Sequence, residues 1–211
     1  MSLPTPYQPV DFGGAAGPLI VFEGVSGIGK STLTKTLVSR LGGTGIHTLS
    51  MPHSGWSDAA NCKLRSLPQF AFYLSGVLHG SDAIRRARQI GPVVADRYVS
   101  SVVACHAAVH GIEVDVVTRL MEPFRQYLEV PTRTFYLRCS ERALRARMAT
   151  KQDLKQDDTD LFAIPARLRR LVDNFEAVAA ADPTAVVVDT DDRTPEELTN
   201  TVLSHLEDSS A

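Results

Sequence analysis

Apolar residues come in short unbroken runs, separated by longer stretches with a helical period. Leu19-Ile20-Val21-Phe22 has no polar break, the pattern of a strand covered on both faces. Ser31–Leu41 then carries apolar positions at helical spacing and stops at Gly42-Gly43, a helix with a glycine terminus. Ile46–Met51 predicts a second strand, ended by Pro52, and residues 53–68 mix their signals and read as loop or broken helix. A helix is expected over Gln69–Gln89, closing in a basic turn (Arg85, Arg86, Arg88) before Gly91-Pro92. Pro92–Ala95 is a third strand leading into Asp96-Arg97-Tyr98, and helices are expected over 99–110 and 113–128, broken at Gly111. Thr134–Leu137 makes a fourth strand and Glu141–Thr150 a helix, while the charged stretch KQDLKQDDTD over 151–160 reads as a mobile loop. Leu168, Leu171, Phe175 and Val178 mark one face of a long helix, Ala185–Val188 is a fifth strand, and Pro195 opens a last helix running to Leu206. Strands that alternate with helices predict an α/β fold with a doubly wound parallel sheet.

Composition narrows this picture in a few places. Residues 1–18 hold four prolines and three glycines and are expected to be a flexible lead-in to one domain over 19–211. At 211 residues that domain has enough interior to fold without disulfides or structural metal. A formal charge of −2 and a pI near 6.3 give no global electrostatic case for nucleic acid or an anionic membrane. No apolar run approaches the length of a spanning helix, and the first residues lack the basic and apolar regions of a secretory signal. Cys62, Cys105 and Cys139 are odd in number and widely spaced, which suits a reducing cytoplasm and excludes a zinc-binding spacing. The expectation is a cytoplasmic protein with no nucleic-acid or membrane partner.

The chemistry begins at Gly24-Val25-Ser26-Gly27-Ile28-Gly29-Lys30-Ser31, which has the spacing G-x-x-x-x-G-K-[ST], followed by Thr32. A buried strand precedes it and a helix follows, the context this phosphate-binding loop requires. Its glycines let successive backbone N–H groups turn toward one phosphate, and the first helical turn adds its positive end. Lys30 is then within reach of the β- and γ-phosphate oxygens, and the Ser31 hydroxyl is placed to ligate Mg²⁺. Three classes share such a loop. A switch GTPase needs N-K-x-D, which none of Asn61, Asn174 and Asn200 opens, and a remodelling ATPase needs a long apolar strand ending in paired acids, which is absent. The short chain and its charged 151–160 stretch favour a small-molecule kinase with a lid.

Phe22-Glu23-Gly24, Gly29-Lys30-Ser31-Thr32, the Asp96-Arg97-Tyr98-x-x-Ser101 segment and the arginine-rich helix leading into 151–160 together resemble the thymidylate kinase family over most of 19–207. The resemblance implies a P-loop kinase fold, a five-stranded parallel sheet flanked by helices with a short lid over about 150–160. It also implies transfer of the γ-phosphate of ATP, with Mg²⁺, to a nucleoside monophosphate, and a possible homodimer. Carried over, it puts Ser26, Gly27, Ile28, Gly29, Lys30, Ser31 and Thr32 around the ATP phosphates, Ser31 and Asp96 at the metal, and Arg147 on the adenine. Arg97 and Ser101 face the acceptor, Phe72 stacks on its base, His106 lies near that base, and Lys151 and Lys155 are catalytic cations of the lid. Residues 133–170 hold ten basic side chains against five acidic ones, as a reaction that gathers negative charge requires. Within them Arg142, Arg145, Arg167, Arg169 and Arg170 read as solvated helix faces.

Four departures fall on the acceptor side. Ser26 stands where the family places an acid, Met51–Trp56 has no arginine, Gly76 replaces an arginine one turn after Phe72, and Cys105-His106 replaces a Tyr-Gln pair. These departures open two alternatives: a kinase of a neutral acceptor (a nucleoside or specialised metabolite), and a nucleotide-binding protein without catalysis. On the first, Glu23 is a candidate general base, at the position where the related deoxynucleoside kinases carry one. His53, His79 and His110 show no metal spacing.

Overall fold

The computed structural model describes residues 7–13, 16–151 and 156–207. Five parallel strands, β1 (Leu19–Glu23), β2 (Thr44–His47), β3 (Val93–Asp96), β4 (Arg133–Arg138) and β5 (Ala185–Asp189), lie in the order β2-β3-β1-β4-β5. The helices are α1 (Lys30–Leu41), α2 (His53–Lys63), α3 (Ser66–Arg88), α4 (Val99–His110), α5 (Val114–Met121), α6 (Glu141–Ala149), α7 (Gln156–Ala163), α8 (Arg167–Ala181) and α9 (Pro195–Glu207), with a 3₁₀ turn over Glu122–Tyr127. Among the described residues no helix is long and apolar enough to cross a membrane.

Every residue of β1 is buried because helices cover both sides of the sheet. Leu19 and Val21 pack with Val93 and Ala95 against Leu74 and Val77 of α3, Val103 of α4 and Val117 of α5. Ile20 and Phe22, pointing the other way, join Leu33 and Leu37 of α1 and Leu198 and Val202 of α9. This is the period-two alternation of a strand with two apolar faces. β1 lies between β3 and β4, so the chain reverses its direction of winding beside it. The crevice outside the strand ends at such a reversal is where open α/β sheets bind ligands. Both sequence motifs sit there, and the pairing of Phe22 with Asp96 sets them side by side.

Three elements differ from the sequence expectation. β2 spans Thr44–His47 rather than 46–51, because Thr44 N–H donates to Pro92 O (2.9 Å) directly after the glycine end of α1. Residues 53–68 form α2 and the start of α3, separated at Leu64, which is extended. α2 buries only Ser57 and Ala60, so it carries no apolar period to read. Within the expected 151–160 loop, residues from Gln156 onward are helical, and the buried Leu161 holds α7 to the core. The basic turn of α3 is structural: Arg85 and Arg88 grip the Glu129 carboxylate at 2.9 and 2.6 Å, tying α3 to the segment before β4.

Candidate active site

The loop after β1 turns through Gly24, Gly27 and Gly29 at φ 136°, 80° and 108°, values that side chains disfavour. Its glycines are also needed for space, since a Cβ at Gly24 would sit 2.7 Å from Leu137 O and one at Gly27 2.2 Å from Met148 Sδ. Lys30 is buried at the start of α1, and its Nζ donates to Gly24 O (2.9 Å) and Val25 O (2.7 Å). Burial, with Arg97 nearby, lowers its ammonium to a pKa of about 7. An anion in the cradle would offset that cost. Ser26, Gly27, Gly29, Lys30, Ser31 and Thr32 line a cavity of about 730 Å³. Ile28 is buried behind the loop, and its carbonyl accepts from Arg147 Nη1 (3.2 Å).

The end of β3 completes the phosphate side. Ser31 Oγ donates to Asp96 Oδ2 at 2.5 Å, so a hydroxyl and a carboxylate converge beside the cradle, the hard oxygen donors that suit Mg²⁺. Arg97 has φ 69°, a conformation that costs a non-glycine residue about 1–3 kcal/mol. Several bonds hold it there. Its N–H donates to Phe22 O (2.9 Å), its carbonyl accepts from the Thr48 hydroxyl, and Nη1 donates to Gly24 O (3.1 Å) and Ser101 Oγ (2.9 Å). The turn aims a guanidinium across the mouth of the phosphate loop.

Glu23 is fully buried and does not line the cavity. Its Oε1 accepts from Tyr98 N–H (2.7 Å) and Ser101 N–H (3.1 Å), and its Oε2 accepts from the Ser101 hydroxyl. The carboxylate therefore caps α4 from another strand, although burial raises its pKa. That geometry commits both carboxylate oxygens to the start of α4, a structural role beside the general-base role suggested by the sequence. Through Ser101 it also positions Arg97.

The acceptor half of the cavity lies between α2 and α3 on one side and α7 and α8 on the other, with α4 as its floor. Ser101 and His106 of α4 line it. Phe72 does not: its ring packs on His53 (5.5 Å) and Tyr73 (5.2 Å), and the α3 residues facing the cavity are Gln69, Tyr73 and Val77. Replacing Tyr73 with Leu is expected to raise the acceptor KM about tenfold, the worth of one lost polar contact plus ring area. Phe72→Leu should stay within about twofold by the same measure; steady-state kinetics on both variants checks this. Gly76 faces Leu49, whose Cδ1 would lie 2.7 Å from a Cβ there, so a side chain at that position would require Leu49 to move.

A directed hydrogen-bond chain stiffens this wall. Asn61 Oδ1 accepts from Gln69 Nε2 (3.1 Å) and the Tyr73 hydroxyl (2.6 Å). The amide oxygen of Gln69 can only accept, so His110 carries its proton on Nε2 to reach it (2.6 Å).

On the opposite side Lys151 lines the cavity and pairs with Asp158, while Lys155 lies outside the described residues. Arg147 lines the cavity too, its guanidinium fixed by Thr190 O (2.7 Å) and Thr190 Oγ1 (2.8 Å). Arg167, read from the sequence as solvated, turns inward and lines the cavity with its side chain 12% exposed. It shares that face of α8 with Leu171, one turn on, and α8 follows the left-handed Ala166 (φ 59°). Sequence reasoning missed Arg167, Tyr73, Gln69 and Asn61; for the α3 pair, the four-residue spacing of Gln69, Tyr73 and Val77 was the available signal.

The family model described as thymidylate kinase matches residues 22–202. A thymidylate kinase of Rhizorhabdus wittichii is 26% identical over 210 residues, covering 91% of this chain and 98% of its own. A solved thymidylate kinase from Candida albicans, described as having broad substrate specificity, superposes with a TM-score of 0.75 over 94% of each chain at 18% identity. The five-stranded parallel sheet, the phosphate loop and the matched residues agree, and the chain belongs to the thymidylate kinase family of ATP-dependent nucleoside monophosphate kinases.

Proposed function

We propose that this chain transfers the γ-phosphoryl group of Mg-ATP to thymidine monophosphate, the acceptor named by its relatives. The observation that carries the reading is Arg97, held in a strained conformation at the point where the phosphate loop opens into the acceptor half of the cavity. Phosphoryl transfer spreads charge over the equatorial oxygens, so its catalysis is positioning and cationic stabilisation.

Each residue has a role that follows from its place. Lys30 and the loop N–H groups hold the β- and γ-phosphates. Arg97 bridges the transferring phosphoryl and the acceptor phosphate, and Ser101 steers it. Ser31 and Asp96 would hold Mg²⁺, which supplies neutralisation of the phosphate charge when bound. Arg147, pinned flat by Thr190, offers its planar face to the adenine. Lys151 exchanges Asp158 for phosphate oxygens as the nucleotide fills the site.

The test is a panel of nucleoside monophosphates and free nucleosides with Mg-ATP, followed through ADP release. Turnover with thymidine monophosphate, lost on chelation of Mg²⁺ and absent with thymidine, is expected. Turnover confined to unphosphorylated acceptors overturns the proposal.

A further inference from the structure

Arg97 has a positive φ that a side chain disfavours, so the groups that fix it there decide whether its guanidinium stays at the mouth of the phosphate loop. The two peptides on either side of its Cα carry four polar groups, and all four are bound. The peptide before Arg97 donates from Arg97 N–H to Phe22 O (2.9 Å), and its carbonyl, Asp96 O, accepts a long bond from Thr48 N–H (3.5 Å). The peptide after Arg97 donates from Tyr98 N–H to Glu23 Oε1 (2.7 Å), and its carbonyl, Arg97 O, accepts from the Thr48 hydroxyl. β1 supplies two of these partners through Phe22 and Glu23. Thr48 alone supplies the other two.

Thr48 directly follows β2, which stands at the edge of the sheet and pairs with β3 only. What seats it from the other side is α3. Gly80 of α3 comes so close that a Cβ there would lie 2.9 Å from Thr48 O and 3.3 Å from Thr48 Cγ2. The threonine methyl therefore rests on the helix backbone, and the hydroxyl, on another arm of the same Cβ, turns to Arg97 O. A β-branched side chain has few rotamers to choose from, and this one is buried. The guanidinium of Arg97 has its own partners, Gly24 O and Ser101 Oγ, so the bonds from Thr48 reach only the backbone of the turn.

We propose that Thr48, seated by the close approach of α3 at Gly80, is a positioning residue for phosphoryl transfer: it holds Arg97 in its left-handed turn and so keeps the guanidinium at the reacting centre. This rests on the monophosphate-kinase reading above. Without the Thr48 hydroxyl, Arg97 O keeps no partner among the described residues, and Arg97 is free to relax toward the negative φ that side chains prefer. The guanidinium then leaves Gly24 O and Ser101 Oγ, and the fraction of molecules with a competent centre falls. ATP, held by Lys30 and the loop amides in this reading, binds as before.

Thr48→Val keeps the branched shape and removes the hydroxyl. It is expected to lower kcat about tenfold, with the ATP dissociation constant within about twofold of wild type. Thr48→Ser keeps the hydroxyl and loses the methyl, and its kcat should stay within about threefold of wild type. Gly80→Ala adds the Cβ that pushes on Thr48 O and should lower kcat as Thr48→Val does, although alanine is the better helix former. In the free protein, the Nε–Hε proton–nitrogen NMR resonance of Arg97, assigned by its absence from Arg97→Met, should shift in Thr48→Val and keep its place in Thr48→Ser. A Thr48→Val kcat within about threefold of wild type, equal losses in Thr48→Val and Thr48→Ser, an unchanged kcat in Gly80→Ala, or a resonance that Thr48→Val leaves in place overturns the proposal. If the wild-type chain phosphorylates no monophosphate, the reading of its function falls, and the Arg97 resonance still tests the hold of Thr48 by itself.

Discussion

Arg97→Met is expected to lower kcat by about 10³-fold or more while leaving the ATP dissociation constant within about threefold of wild type, the magnitude associated with removing a transition-state arginine. The split between the two quantities follows from the geometry. In the proposed roles Lys30 and the loop amides hold ATP without help from Arg97, whose guanidinium rests on Gly24 O and Ser101 Oγ and borders the acceptor half. Arg97→Lys should not rescue, because an ammonium cannot bridge two phosphates in a plane. Single-turnover transfer and equilibrium ATP titration give the two numbers. A kcat within tenfold of wild type would take Arg97 out of the reacting centre.

The second large effect is on stability. Glu23→Ala leaves Tyr98 N–H, Ser101 N–H and the Ser101 hydroxyl without an acceptor in the core. Each orphaned buried donor costs about 1–3 kcal/mol, and part is recovered by relaxation, so a total loss of about 3–5 kcal/mol is expected, in the range for breaking a buried charged network. At roughly 2–4 °C per kcal/mol for a domain of this size, Tm falls by about 6–20 °C. The loss should appear in thermal unfolding of the free protein. A Tm within about 3 °C of wild type with kcat abolished would return Glu23 to the role of general base.

The phosphate side was legible because its chemistry is local. Gly24 to Ser31 is one contiguous loop, and the glycine spacing encodes its shape. Asp96 and Arg97 were legible as a motif at a strand end, but the bond from Ser31 to Asp96 depends on the β1–β3 register, which no local pattern contains. The acceptor side failed where direction mattered. Phe72 and Tyr73 are neighbours about 100° apart around α3, and tertiary packing alone decides which enters the cavity. Arg167 resembles Arg169 and Arg170 in sequence, and it turns inward on the α8 face it shares with Leu171, which the packing of that helix decides. For Glu23 the sequence shows an acid beside the phosphate loop but not that helix α4 begins against it and takes both its oxygens. α7 was hidden because its acidic residues mask an apolar face as short as Leu161 and Phe162.

The central claim is that this cavity moves a phosphoryl group between two phosphates. Phosphorus NMR of the protein with Mg-ATP and thymidine monophosphate tests it most directly. The account predicts that the γ-phosphate resonance of ATP declines as the paired resonances of thymidine diphosphate grow in equal amount, with no inorganic phosphate. Loss of the γ resonance to inorganic phosphate alone, or an unchanged spectrum while thymidine becomes phosphorylated in a parallel sample, would contradict it.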